Sequence, residues 1–177
     1  MQGLANFAAA VGQGFQILLP TFCYIAALSL FLFAAWGFWR QSHPDNPFRG
    51  KPWVPLVPLL FCGVFASFDR FLTLANRSGG SSVTVNLVAG LSSYLPPDAS
   101  GGLGSTPADT VIKIVQIFQL FFQAFGAMTA FFAVYALWAV MRGTSRRTPG
   151  GCLVQFVFSV MLINVLTISQ WVVSFFT

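Results

Sequence analysis

The sequence contains no glutamate, one histidine and only 7% charged residues. So few charges cannot hydrate the surface of a soluble domain, where charged residues make up about a quarter of the chain. With 56% hydrophobic residues, the composition is that of a membrane protein. Cysteine is also scarce. Cys23, Cys62 and Cys152 are odd in number and each lies in an apolar segment, so no disulfide or metal framework follows and they read as small packing residues. His43 sits in a polar turn with no cysteine, second histidine or glutamate near it, which makes it a solvated loop residue rather than a ligand. No G-x-S-x-G, phosphate-binding loop or zinc spacing occurs, and no base is placed to activate a serine or threonine. No catalytic residue, metal ligand or cofactor is therefore expected, and 177 residues leave no room for a separate catalytic domain beside about four spanning helices. The net charge of +5 comes from clustered basic loops. Such loops report membrane orientation before they report nucleic acid, for which no site is evident.

What the chain does have is a long helical run from Thr106 to Arg147. Thr106-Pro107-Ala108-Asp109 supplies a hydroxyl N-cap, a proline at the first helical position and an acid that closes a capping box. Nothing interrupts the pattern until Gly143. The run exceeds the roughly 20 residues that cross a bilayer, so it either stands above the membrane or lies tilted in it. Gln116, Gln119 and Gln123 share one face, which Ala127 and Ala130 continue; Phe118, Phe121, Phe122, Phe125 and Phe132 occupy the opposite one.

Three further spans are expected: Phe15 to Trp39 with a bend at Pro20, Trp53 to Ala75 with a kink at Pro58, and Gly151 to Phe176. Met1 to Gly14 lacks the basic stretch of a cleavable signal, so it is expected to be retained. The organisation is then an all-α, polytopic protein: a first transmembrane hairpin over residues 1–75, a Gly/Ser-rich loop over 76–110 and a second hairpin over 111–177. Val83 to Tyr94 is the one part of that loop with a pattern, amphipathic or extended.

Six of the nine Lys and Arg residues lie in the two short loops: Arg40, Arg49, Lys51, Arg142, Arg146 and Arg147. The positive-inside rule places these loops in the cytoplasm, and both termini and the 76–110 loop outside. They serve as topology determinants or as sites for anionic headgroups or a cytoplasmic partner. Trp36-Gly-Phe-Trp-Arg40 and Trp138-Ala-Val-Met-Arg142 repeat one spacing at equivalent helix ends, each followed by a basic loop and a proline (Pro52, Pro149). Two hairpins of the same orientation result, by duplication or because spanning helices commonly end this way.

Among the polar residues, Asp69 lies 17 positions beyond Pro52 (69 − 52), roughly 25 Å along a helix. That places it at the outer interface, with Arg70 or Arg77 as an ion-pair partner. Asn76-Arg77-Ser78 is a formal glycosylation sequon, read as a chance match. Asn164 falls in the middle of the last span and requires a partner, as do the glutamines; the partner is either another helix of the chain or another subunit.

Ala124-Phe-Gly-Ala-Met through Trp138-Ala-Val-Met-Arg-Gly143, the turn Thr148-Pro-Gly-Gly151 and Met161-Leu-Ile-Asn-Val-Leu-Thr167 resemble the closing hairpin of the IcmC/DotE–TraQ family. These are small inner-membrane proteins of type IVB secretion and I-type conjugation systems. The resemblance covers Lys113 to Phe176; the first half agrees in topology. It implies a non-enzymatic structural subunit of a bacterial inner-membrane transfer apparatus, partnered by membrane lipid and by other subunits as a homo- or hetero-oligomer. A pilin-like subunit is the nearest alternative, because each hairpin has a pilin's form. An oligomeric channel for ions or solutes, lined by the glutamine stripe, is the next.

Overall fold

The computed structural model of the chain describes residues 2–43, 45, 51, 53–86 and 106–175. Arg49, Pro52 and most of the 76–110 loop, including Tyr94 and the Pro96-Pro97 pair, lie outside the described residues. Among those described, every regular element is an α-helix: α1 (Gln2–Gln41), α2 (Trp53–Ala66), α3 (Phe68–Ser78), α4 (Pro107–Ile117), α5 (Gln119–Met141), α6 (Pro149–Ile163) and α7 (Val165–Val173). Two stretches are long and apolar enough to cross a membrane, Ala10–Gln41 and Pro107–Met141; α2 with α3 and α6 with α7 raise the number to four if each bent pair is one span.

Helix starts follow local chemistry. Thr106 accepts from the Asp109 amide at 3.2 Å, and its hydroxyl donates to the Asp109 carboxylate at 2.7 Å. The acid thus closes the box through the threonine hydroxyl. Thr148 repeats the device ahead of Pro149, accepting from Gly151 N at 3.2 Å, so α6 begins two residues before Gly151, the expected start of the last span. α1 begins at Gln2 rather than Phe15 and continues through Pro20.

The prolines do not mark the breaks. Pro58 is buried inside α2 without ending it, whereas an 82° bend falls at Ser67 and a 75° bend at Asn164. The long run is itself interrupted once, at Phe118, while remaining one candidate span. All three break residues leave helical geometry in the same direction: Ser67 at φ −121°, ψ 40°, Asn164 at −98°, 21° and Phe118 at −92°, 2°. These lie in or near the sparsely used bridge region of backbone space. An apolar medium forces a proline's freed carbonyl to find another donor or tolerate its loss, and the surrounding helices hold the axis regardless.

α5 is the central element, packed between α1 and α6. α1 and α5 run parallel: Gly12 lies against Leu120, Phe22 against Phe131 (6.3 Å between ring centroids) and Phe33 against Arg142. α2 returns along α1, its start meeting Trp36 and its end meeting Pro20 and Cys23. α6 returns along α5, with Ser159 and Ile163 against Gly126. One core joins all of these, with Leu19, Phe65, Phe68, Leu72, Ala127 and Phe131 among its members. The outward surface is apolar too. Ile17, Leu28 and Leu32 of α1 and Leu153, Val157 and Phe158 of α6 are each more than half exposed. In water that surface would aggregate; in lipid it is a solvated one.

Candidate functional site

A polar construction among the described residues joins the two bends. α3 turns away from α2 and lays Phe68, Leu72 and Asn76, four residues apart on one face, against the core, leaving Arg70, Leu74 and Arg77 exposed. After Gly79 and Gly80 the chain reverses; Gly80 has φ +79°, a left-handed conformation that a side chain would strain. Residues 81–86 then run back along α3 with no helical or strand structure of their own. Their backbone groups are taken up by α3 side chains. The Val85 amide donates to Thr73 Oγ1 at 3.0 Å, whose hydroxyl donates to Asp69 O at 2.9 Å, and Asn76 Nδ2 donates to Val83 O at 3.4 Å.

Asn164 is the hub. Its Nδ2 donates to Asn76 Oδ1 at 3.0 Å and to Val160 O at 2.8 Å, and its Oδ1 accepts from the Ser81 hydroxyl. All three hydrogen-bonding capacities that a buried amide most needs are therefore met, two of them by residues more than 80 positions away. The Val160 carbonyl also receives the Asn164 backbone amide at 3.2 Å. At the other bend Ser67 does the same on a smaller scale: its hydroxyl and its amide both donate to Gly63 O, at 2.9 and 3.1 Å. Thr21, Ser29, Thr129 and Ser159 make the same bond to the carbonyl four residues earlier inside unbroken helices, so this back-bond accompanies the breaks at Ser67 and Asn164 without by itself setting them.

This cluster consists of amides and hydroxyls, none of which titrates in the working range of a protein. Its hydrogen bonds fix the geometry of the two bends relative to each other. Asp69, the nearest carboxylate, does not form the ion pair expected with Arg70 or Arg77 among the described residues; its Oδ1 accepts from Arg70 N at 2.8 Å in the first turn of α3, where a negative charge also suits the helix dipole. Asn76 is fully buried, so the sequon at 76–78 offers no accessible amide. His43 is exposed, with its ring 4.5 Å from that of Trp39. Cys23 and Cys152 are buried and Cys62 is partly so, none in a disulfide. Among the described residues, no three of His, Cys, Asp and Glu gather as a metal site.

The glutamine and alanine face points inward. Gln123 is 2% exposed and Ala127 and Ala130 are fully buried, so these three contact the chain's own helices. Gln116 and Gln119 are half-buried, and Gln119 Oε1 has no hydrogen-bond partner among the described residues. Asn164 has its partner on α3, an element whose separation from α2 the sequence pattern had not revealed. The opposite face is mixed: Phe125 and Phe132 are exposed, whereas Phe121 and Phe122 are half-buried and stack with their neighbours. Of the basic residues, Arg40, Lys51 and Arg142 gather at one end of the molecule. Arg40 lies over the Trp36 ring at 5.9 Å and Arg142 over Trp138 at 5.0 Å, so the repeated Trp-to-Arg spacing produces the same cation–π pair twice. Arg146 is exposed, and Arg147 donates to Gln155 Oε1 at 3.2 Å.

No family model, curated protein or solved structure matches the chain.

Proposed function

We propose that this chain is a non-enzymatic structural subunit of a bacterial type IV, IVB-like secretion or conjugation apparatus. It resides in the inner membrane as four spans in two helix–basic loop–helix hairpins, with both termini and the 76–110 loop outside. The observation that carries the reading is the distribution of polarity. The interior amides and hydroxyls are consumed in holding helices together, while the surface offered to the surroundings is apolar along α1 and α6. Such a surface serves lipid and neighbouring membrane subunits. The resemblance over Lys113 to Phe176, which contains α5 and α6, supplies the apparatus. Purification from a conjugating host in mild detergent is expected to bring other transfer subunits with the full-length chain. A monodisperse chain that brings none, together with a deletion strain that transfers DNA at the parental rate, overturns it.

A pilin-like role is the second reading, favoured by the parallel course of α1 and α5, each with a returning partner. Full-length chain in sheared extracellular filaments decides for it, and strict recovery in the inner-membrane fraction against it.

A further inference from the structure

At the basic end, α1, α2 and α5 leave a cleft of about 460 Å³ between them, within the ~300–1,000 Å³ of sites that hold small molecules. Phe33 and Trp36 of α1, Val54 and Val57 of α2 and Met141 of α5 give it apolar walls, and Arg142 stands at its mouth. The Arg142 guanidinium lies 4.2 Å above the Phe33 ring as well as 5.0 Å from Trp138, a double cation–π arrangement that fixes its plane. Arg40 reaches over Trp36 beside it. Next to the lining residues Trp36 and Arg142, two buried donors, Arg40 Nε and Trp138 Nε1, have no acceptor among the described residues. The charge is one-sided: Arg40, Lys51 and Arg142 face one described acid at this end, Asp45, because Asp69 and Asp109 belong to the other.

We infer that the cleft is a site for one anionic phospholipid, with an acyl chain against Val57 and Met141 and the phosphate held by Arg142 and Arg40. Apolar walls and cationic mouth each need their half of that ligand. A free anion leaves the cleft empty, and a zwitterionic lipid sets its own cation beside Arg142. A guanidinium fork pairs a phosphate through two hydrogen bonds, and basic pockets between spanning helices favour anionic headgroups. The inference needs only that the chain lies in a bilayer; it stands or falls apart from the apparatus reading.

Trp36, Trp39, Trp53 and Trp138 all lie at this end, so bound brominated lipid quenches their fluorescence. The full-length chain is placed in phosphatidylcholine nanodiscs containing rising fractions of brominated phosphatidylglycerol or, separately, brominated phosphatidylcholine. Brominated phosphatidylglycerol is expected to reach half-quenching at about five-fold lower mole fraction, the preference that one well-placed basic residue confers. Arg142→Gln is expected to merge the two curves, and Val57→Phe, which fills the cleft and keeps every charge, to weaken quenching by both lipids. Arg40→Gln narrows the gap without closing it. Three results overturn the inference: equal quenching by both lipids in the unaltered chain, an Arg146→Gln/Arg147→Gln variant that loses as much preference as Arg142→Gln, or relief of quenching by inorganic phosphate. The second means diffuse attraction to the basic end, and the third a soluble anion in place of a lipid.

Discussion

The two returning helices approach their partners through glycine, yet against different material. Where α6 crosses α5, a Cβ added to Gly126 would meet Ile163 Cγ1 and the Ser159 carbonyl oxygen at 2.9 Å and the Ile163 amide nitrogen at 3.1 Å, so two of its three nearest atoms are backbone. Where α2 meets α1, a Cβ on Gly37 would meet the Pro55 ring at 3.0 Å. The first contact has no freedom to yield, because both helices' hydrogen-bond ladders would have to move. The second has a rigid ring, but one in the first turn of α2, where little of the helix has to move. A third case, Gly12 on α1, faces Leu120 Cγ at 3.1 Å and Cδ2 at 3.4 Å, a flexible side chain in place of a ring or a backbone. Small residues thus bring helices together in lipid, where no hydrophobic force does so, and their importance scales with the stiffness of what they face.

That ordering is open to measurement by unfolding each variant in mixed micelles. Gly126→Ala is expected to have the largest effect, about 3 kcal/mol, the upper part of the range for an overpacked core. A cost below that of Gly37→Ala would break the comparison at its root. Asn164→Leu is expected next, at about 2 kcal/mol, because Asn76 Oδ1 loses its buried donor and Ser81 its acceptor. A double-mutant cycle with Asn76→Leu should recover part of that loss. Gly37→Ala follows at about 1 kcal/mol. Ser67→Ala, which removes one hydroxyl back-bond on an exposed residue, is expected to change stability by no more than about 0.6 kcal/mol. Cross-link distances between α2 and α3 would shift first if Ser67 sets the bend.

Much of this architecture was legible. Composition identified a helical membrane protein, the capping box at Thr106–Asp109 located the start of the long run, and the Gln123, Ala127, Ala130 stripe marked the face that is buried. The bends were not legible, for two reasons. Pro20 and Pro58 carry the strongest local signal for a kink, yet α1 and α2, packed along each other, run on through them. Ser67 and Asn164 carry little signal alone: Thr21, Ser29, Thr129 and Ser159 make the same back-bond in unbroken helices, and the partners Ser81 and Asn76 of Asn164 arrive from far along the chain. Ser81 itself was missed because nothing in a Gly/Ser-rich loop distinguishes one serine from another. Periodicity reports which face a residue occupies, and it is silent about which distant group will meet it there.

The bends also set how far each helix reaches. At 1.5 Å per residue, the 14 residues of α2 cover about 21 Å and the 15 of α6 about 22 Å. Both fall short of a ~30 Å hydrocarbon core. The two stretches they pack against, of 32 and 35 residues, exceed it at about 48 and 53 Å. Long and short members locked side by side cannot be matched by a bilayer of one thickness. Tilting relieves the long ones only as far as the short ones, fixed to them at Gly37 and Gly126, will follow. Where such pairs lie in a bilayer, lipid beside α2 and α6 meets a shorter straight helix than lipid beside α1 and α5, a hydrophobic mismatch carried within one molecule.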